Sequence, residues 1–394
     1  MLTLLWPAPL HAQGLTDTPD AGGATDAGPA LTSVPAAATS TAPGPATSLS
    51  ANEAIAAQVG VRSLVYAQDP AARDRLRDVG ATGEADVVFW GQVHPNLKWQ
   101  AGFIGTLGDS ATTNAALLDL VAKLELADVF NLWIGRMPIP SDRTSLSTVW
   151  AIAPWTAPGH YQSFAPVAPA GSRPGAGPRQ GDLGRGDGAT LWGQFRGGRL
   201  KYYLGAFGLE QPDRSPLYSA RLALSLLSPE PGFRTSSSYH GGKDVLAFGL
   251  GAQHRTQGSR PPADSLFPPA NYDEFNADVF FELGGESAGV LDLEGAFARL
   301  WGQSEVAKYQ VFGLVGYLLP LEVGVGRFQP LLRIQHAARG TAEDGVDITS
   351  IDAQLGYVID GHHARVCTGY QYTRVRGQTE NAVLFGVQLL SKAK

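Results

Sequence analysis

The sequence lacks the features that mark several large classes of protein. A single cysteine, Cys367, excludes an intramolecular disulfide framework. The formal net charge is −6 over 394 residues, which leaves neither a polybasic surface for nucleic acid nor a strongly acidic tail. No run of 18 apolar residues occurs, so we predict no membrane-spanning helix. A membrane β-strand is not excluded, because it needs only about 9–11 residues and is apolar at alternate positions.

Motifs for catalysis and for metal binding are also missing. No glycine-rich phosphate loop occurs between a strand and a helix, and no Ser–His pair stands out. His362 and His363 are adjacent at a turn, so their imidazoles fall on opposite faces and make a poor metal site. Cys367 has no histidine at a spacing that would activate it. We therefore predict no enzyme activity, no metal and no cofactor.

The N-terminal quarter differs in composition from the rest. Residues 1–12 resemble the end of a secretory signal peptide, with a short apolar core and a small residue at Ala12. Residues 13–50 contain almost no large apolar side chain, which predicts a disordered exported linker. Residues 51–85 contain helix formers and a proline after Asp69, which predicts a periplasmic helical or lead-in segment with a helix over 70–78. A strand over 61–68 remains an alternative within it.

From Asp86 onward the hydrophobic period is two residues. The stretch 218–226 (YSARLALSL) is typical: its alternate residues are apolar, and Arg221 lies in the middle of the other face. About 16 such strands, most about 10 residues long, follow between 86 and 394, too many for one sandwich. Because lipid allows no unpaired sheet edge, the pattern predicts a transmembrane antiparallel β-barrel with a polar lumen. The alternative is a soluble exported β-sandwich whose apolar faces meet each other.

The charges on the opposite strand faces are predicted to line the pore. Basic residues cluster between 117 and 226 and acids between 278 and 294, so opposed walls of opposite sign could set a transverse field. Solvated walls with local ion pairs are the alternative. The candidate pore-lining residues are Lys123, Arg196, Lys201, Arg221, Asp278, Glu282, Asp292, Glu294, Arg333, Asp352 and Arg365.

One long irregular stretch, 138–189, interrupts the strands. It is rich in Pro, Gly and Ser, and loops of this length are usually functional or disordered. We predict either a constriction folded into the barrel or an external loop that packs on neighbouring subunits. Asp142 and Arg143 are its first charges and the candidate constriction residues.

Three stretches carry a resemblance to a known family. DVVFWGQVHPNLKWQAGFIG, LLDLVAKLELADVFNLWIGRMPIPSDR and WAIAPWTAPG resemble outer-membrane porins related to the phosphate-selective porin O/P family, over about residues 85–394. The resemblance implies a 16-stranded barrel, typically trimeric, that passes small hydrophilic solutes passively. The chain ends in GVQLLSKAK, where the family commonly ends in an aromatic residue. It also shows no lysine-and-arginine ladder, so phosphate selectivity is not carried over.

We therefore expect a porin in the outer membrane of a Gram-negative bacterium. Its partners would be outer-membrane lipid, two further copies in a homotrimer, and small hydrophilic solutes or ions, with no nucleic acid. Two alternatives remain: a plugged barrel that acts as an anchor or adhesion scaffold, and a soluble exported β-sandwich that binds a ligand.

Overall fold

The structure is a computed structural model, and it describes residues 55–69, 78–107, 113–155, 185–208, 215–259, 270–285, 287–301, 307–339, 347–375 and 378–392. The strands are β1 Ile55–Asp69, β2 Asp78–His94, β3 Leu97–Leu107, β4 Thr113–Ala127, β5 Phe130–Pro138, β6 Arg185–Phe195, β7 Leu200–Phe207, β8 Leu217–Ser225, β9 Val245–Ser259, β10 Ala270–Gly285, β11 Gly289–Trp301, β12 Ala307–Leu318, β13 Glu322–Val323, β14 Gly326–Arg339, β15 Ile348–Asp360, β16 Ala364–Val375 and β17 Gln378–Leu390. The helices are α1 Arg143–Leu146 and two 3₁₀ turns, Val149–Ala151 and Arg196–Gly198.

The strands form one antiparallel sheet that closes on itself. Each strand pairs with its neighbours in the chain, and β1 pairs with both β2 and β17. The two-residue β13 is one arm of a hairpin with β14, and β12 pairs directly with β14, so sixteen strands form the wall. The predicted all-β barrel of about 16 strands is confirmed. Among the described residues, no helix is long and apolar enough to cross a membrane.

Side chains alternate between the two faces of the wall. In β8, Leu222 is 56% exposed on the outside, while its neighbour Arg221 is 3% exposed on the inside. The same alternation holds in β9, where Leu250 faces outward and Gln253 inward. Large apolar side chains thus cover the outside of the barrel, and charged and amide side chains lie inside. The predicted sidedness of 218–226 is confirmed.

The two ends of the barrel differ. At one end, which we call the short-turn end, adjacent strands are joined by tight turns at 95–96, 128–129, 196–199 and 361–363. At the other, the long-loop end, most connections are longer, and 139–184 is the longest; the exceptions are the two-residue connection 376–377 at this end and the long connection 226–244 at the short-turn end. Barrels of the outer membrane have short turns on the periplasmic side and long loops outside.

Two sequence predictions are corrected by the fold. The periplasmic lead-in predicted over 51–85 is wrong for the residues of it that are described, because Ile55–Asp69 form β1, which closes the barrel, and β2 begins at Asp78; the alternative strand over 61–68 lies within β1. The two-residue alternation of the stretch 117–128 predicts that Leu118 faces outward with Leu120, but in β4 a bulge at Leu118 interrupts the pairing with β3, and Leu118 is fully buried. The segments 1–12 and 13–50 and the predicted helix over 70–78 lie outside the described residues.

Candidate functional site: the barrel lumen

The predicted pore-lining residues converge on the interior of the barrel. Ten of them are buried on the inward face of the wall: Lys123, Lys201, Arg221, Asp278, Glu282, Asp292, Glu294, Arg333, Asp352 and Arg365. Arg196 is the exception and the prediction for it is wrong. It lies in the exposed turn between β6 and β7 with a φ of 52°, because the strand ends at Phe195 and its alternation stops there.

A segment that we call the strap, residues 139–155, enters the lumen from the long-loop end. Its first turn is α1, which Asp142 caps: a side-chain oxygen of Asp142 accepts a hydrogen bond from the backbone N–H of Ser145 at 2.6 Å. The side chains of Asp142, Arg143, Leu146 and Trp150 are all buried. Residues 139–155 of the long irregular stretch therefore lie inside the barrel, as in the constriction alternative, whereas Pro138 and residues 185–189 belong to the wall strands β5 and β6.

The start of the strap is held by charge. The guanidinium of Arg143 donates to both oxygens of Glu230 at 3.0 and 2.6 Å and lies 4.0 Å over the ring of Phe280. Its backbone N–H donates to Asp278, which Arg221 also binds at 2.6 and 2.9 Å. Burial alone would raise the pKa of Glu230, but the charge of Arg143 more than offsets this and holds the pKa below its usual range.

The end of the strap is held by shape and by backbone acceptors. The indole of Trp150 lies over Gly60 in β1 and that of Trp155 over Gly386 in β17, where an added Cβ would come within 2.5 Å of each ring. Arg365 in β16 donates to the carbonyl oxygens of Ile152 and Ala153 at 2.7 and 3.0 Å. Glycine at these two wall positions lets the indoles reach the backbone.

The strap therefore crosses the whole lumen. Its start contacts β8 and β10, and its end contacts β1, β16 and β17. In the ring of sixteen strands, β8 and β17 are eight positions apart, which is half the circumference. A segment anchored at both walls divides the interior instead of narrowing one side of it.

A second segment, which we call the inner loop, residues 229–243, enters from the short-turn end between β8 and β9. It meets the strap through backbone hydrogen bonds from Thr235 to Leu146 and from Ser237 to Ala151, at 3.2 and 3.0 Å. Its Phe233 stacks on Trp133 of the wall with ring centroids 4.3 Å apart. The two segments, from opposite ends, thus support each other within the lumen.

The inner loop also supplies hydrogen-bond donors to part of the acidic wall. The backbone N–H groups of Tyr239 and Gly241 donate to Glu282 at 2.5 and 2.7 Å, and the hydroxyl of Ser237 donates to Glu294 at 2.6 Å.

Near the short-turn end, His240 and His362 have ring centroids 4.5 Å apart. Burial, together with the charge of Arg365, lowers the pKa of His362 to about 4, which keeps its imidazole neutral near pH 7.

The predicted opposition of a basic and an acidic wall is wrong in its geometry. The basic strands β7 and β8, which carry Lys201 and Arg221, lie only two to four positions from the acidic strands β10 and β11 in the ring, and of the predicted basic residues in the wall between 117 and 226 only Lys123 in β4 is nearly opposite them. Arg221 and Asp278 consequently contact each other, and Arg333 pairs with Asp352 at 2.9 Å. Local ion pairs replace a field across the lumen.

Sequence reasoning missed the inner loop. The stretch 228–232 has the Pro and Gly of a short turn, so its continuation into the lumen was not predicted. The available signal was Glu230, a carboxylate inside an apparent turn, followed by a run of small hydroxyl side chains from Thr235 to Ser238. All of these side chains are buried, because inside the barrel they contact another segment and not solvent.

Within the part of the chain that the structure describes, no cluster of three or more His, Cys, Asp or Glu side chains could hold a metal ion. His362 and His363 do not share a site, since His362 contacts the carbonyl of Ser238 and His363 that of Leu390. Cys367 is buried against Leu64, Trp155 and Leu384 on the inward face.

Comparison with solved structures matches the whole barrel. An OmpT loop-deletion mutant of Vibrio cholerae superposes with a TM-score of 0.52 at 14% identity, covering 86% of this chain and 100% of that one. OprB of Pseudomonas putida gives 0.56 at 9% identity over 87% and 94%. An anion-selective porin from Comamonas acidovorans gives 0.52 at 14% identity over 86% and 99%. At these identities the likeness shows the fold.

No protein-family model matches the chain. No curated protein matches it either.

Proposed function

We propose that the protein is a porin-type channel in the outer membrane of a Gram-negative bacterium. Small hydrophilic solutes or ions would diffuse through it, and the strap and the inner loop would restrict what passes. The observation that carries this proposal is the sidedness of the wall: residues such as Leu222 and Leu250 are more than half exposed outside, while ionic side chains are buried inside. A closed barrel with this distribution suits hydrocarbon outside and polar solutes within.

The restricted lumen distinguishes this proposal from a wide general porin. A 16-stranded barrel that encloses only water would leave its inward charges accessible. Here Lys201, Arg333 and Asp352 are each about 1% exposed, and the strap crosses from wall to wall. We expect passage beside the strap to be narrow and selective by size.

Single-channel recording in planar lipid bilayers tests this proposal. The purified protein should give small ohmic current steps. Arg143→Ala, which releases the start of the strap from Glu230, should give larger steps. Arg374→Ala is the matched control, because Arg374 is exposed on the outside of the wall, and its steps should equal those of the unaltered chain. A folded barrel that inserts and never conducts would contradict the proposal.

A closed barrel that serves as an anchor or scaffold is the second candidate. The near-complete burial of the inward side chains and the contact between strap and inner loop favour it. Absence of steps from both the unaltered chain and Arg143→Ala, in protein shown to be inserted, would support this candidate.

We further propose a homotrimeric assembly. One neighbour in the structure comparison, OmpT of Vibrio cholerae with a TM-score of 0.51, is described in a trimer form. Chemical cross-linking in native membranes should give a ladder that ends at three copies. A ladder with only the monomer band would contradict trimerisation without affecting the channel proposal.

A further inference from the structure

Two histidines meet at the short-turn end of the barrel. His240 belongs to the inner loop, and His362 belongs to the turn 361–363 between β15 and β16. Their ring centroids are 4.5 Å apart, and the ring planes are inclined by 63° to each other. Both residues are only partly buried, so an ion from solution can reach the pair. The two imidazoles join a loop inside the lumen to the wall.

Each ring has one nitrogen that is buried and has no hydrogen-bond partner among the described residues. These atoms are Nε2 of His240 and Nδ1 of His362. The other nitrogen of His362, Nε2, lies 2.8 Å from the carbonyl oxygen of Ser238. Because a carbonyl oxygen only accepts, Nε2 carries the ring hydrogen and Nδ1 keeps its lone pair. The carbonyl of Trp150 is also near this ring, outside hydrogen-bond geometry.

The backbone holds His240 in place at a conformational cost. Its φ of 52° lies in the left-handed region, which residues other than glycine rarely adopt. Its N–H donates to the hydroxyl of Ser238, and the N–H groups of Tyr239 and Gly241 on either side donate to Glu282. Three consecutive N–H groups therefore fix this residue. Strained residues that their surroundings fix in this way cluster at functional sites.

The other histidines that the structure describes differ from this pair. They are His94, His254, His336 and His363. Each makes a hydrogen bond through its Nδ1, and none of the four has a buried ring nitrogen without a partner. Within the described part of the chain, the buried imidazole nitrogens that lack a partner are thus confined to two rings in contact.

The protonation and the surroundings of the pair favour one class of ligand. Burial lowers the pKa of His240 well below its ordinary value, so both rings are neutral near pH 7, which is the form that binds metal ions. The nearby charges of Arg327 and Arg365 oppose a cation held by charge alone. They therefore disfavour Mg²⁺ and Ca²⁺, which prefer oxygen ligands, over transition metals that imidazole binds.

The spacing of the two rings fits coordination at a right angle. An imidazole nitrogen lies about 2.0–2.1 Å from a bound metal ion, so two rings that bind one ion at a right angle have centroids roughly 4.5 Å apart. A tetrahedral angle would separate the centroids by roughly 5 Å. The observed 4.5 Å matches the right angle, which is typical of Cu²⁺ and Ni²⁺.

We propose that His240 and His362 form a binding site for a divalent transition-metal ion that prefers right-angle coordination, Cu²⁺ or Ni²⁺. Nε2 of His240 and Nδ1 of His362 would bind the ion, and water would occupy its remaining positions. The ion would link the inner loop to the turn 361–363. Because both residues lie outside the membrane-spanning strands, the test of this site is separate from the channel recordings.

Titration calorimetry of the full-length barrel in detergent, without a histidine tag, measures this binding. Separate titrations use CuCl₂, NiCl₂ and MgCl₂ in the same buffer. We expect Cu²⁺ to bind more tightly than Ni²⁺, as it does at most nitrogen sites, and Mg²⁺ not to bind. Absence of Cu²⁺ binding, or Mg²⁺ binding of equal affinity, would overturn the proposal.

Variants locate the site. His240→Asn should keep the fold, because asparagine tolerates a positive φ, and should weaken Cu²⁺ binding by at least about tenfold. His362→Gln, which keeps an amide donor for Ser238, should weaken it by a similar factor and serves if His240→Asn does not fold. His254→Asn is the matched control, since His254 pairs with Asp273 on the outside of the wall, and should keep the full affinity.

Electron paramagnetic resonance of the Cu²⁺-loaded protein gives an independent reading. The unaltered barrel should show coupling of the copper to two imidazole nitrogens, and each single variant at the site should lose one of them. Full Cu²⁺ affinity in His240→Asn or in His362→Gln, or loss of binding in His254→Asn, would overturn the proposal.

Discussion

The two ends of the strap are attached to the barrel by different chemistry. Near β8 and β10 the attachment is ionic: Arg143 and Glu230 form a buried bidentate pair, beside the pair of Arg221 with Asp278. Near β1 and β17 the attachment is steric, with indoles over Gly60 and Gly386. Charge variants should therefore release one end and small increases in side-chain size the other.

The largest effect is expected from breaking the ionic attachment. Glu230→Gln leaves the charge of Arg143 buried without its partner, which should lower the free energy of unfolding by about 3–5 kcal/mol. Replacing both partners, as in Arg143→Met with Glu230→Leu, removes the stranded charge and should cost less than the single change. Denaturant titration in detergent micelles, followed by tryptophan fluorescence, measures both.

Asp273→Asn is the control for that comparison, because Asp273 is nearly half exposed on the outside of the barrel. It should change stability little. If Glu230→Gln were as stable as this control, the ionic attachment would not stabilise the folded protein.

An intermediate effect is expected at the steric attachment. Gly60→Ala and Gly386→Ala each place a Cβ against an indole, and overpacking of this kind costs about 1–3 kcal/mol. Displacement of Trp150 or Trp155 towards water should also shift the emission of the protein to longer wavelength. Gly313→Ala is the matched control, since an added Cβ there meets nothing within 4 Å.

Equal behaviour of the three glycine variants would show that the indoles do not rest on the wall. A shift in fluorescence emission in Gly60→Ala alone would show that Trp150 rests on the wall and that Trp155 does not.

The smallest effect is expected from the titration of Asp142. Burial, and to a lesser extent the charge of Asp278, raises its pKa from 3.8 to about 6. The stability contributed by the protonated form is complete below pH about 4 and is lost as the pH rises through about 6. Asp142→Asn keeps the helix cap without the charge, so it should match the unaltered chain closely at pH 4 and exceed it at pH 7, by a difference whose upper bound is about 3 kcal/mol.

The measurement is the difference in denaturant midpoint between the two proteins from pH 4 to 7. A difference that is constant with pH would show that Asp142 does not titrate in this range.

The wall of the barrel could be predicted from sequence because its signal is local. In β8 each residue's side of the sheet follows from its neighbours, and both Leu222 and Arg221 lie where alternation puts them. Prediction was wrong where one residue changes the phase. At the bulge at Leu118 and at the turn at Arg196 the alternation of side chains between the two faces stops, although the alternation predicted from the sequence continues through both residues.

The contents of the lumen could not be predicted in the same way. The contact of Trp150 with Gly60 joins residues 90 positions apart and that of Arg143 with Glu230 joins residues 87 positions apart, and no local pattern encodes them. The first strand was predicted only as an alternative, over 61–68, for a related reason. Its end at Asp69, next to a proline, has the composition of a helix start, and only closure of the sheet shows that Ile55–Asp69 is needed as a strand.

The central claim is that the strap fills the lumen between opposite walls. The most direct test of this claim uses the only thiol in the chain. Cys367 is on the inward face of β16 and packs with Trp155. We expect it to react slowly with a small, charged thiol reagent in the reconstituted barrel, and at least about tenfold faster in Trp155→Ala. A Cys367 that reacts in the unaltered barrel as fast as in the unfolded chain would contradict the account.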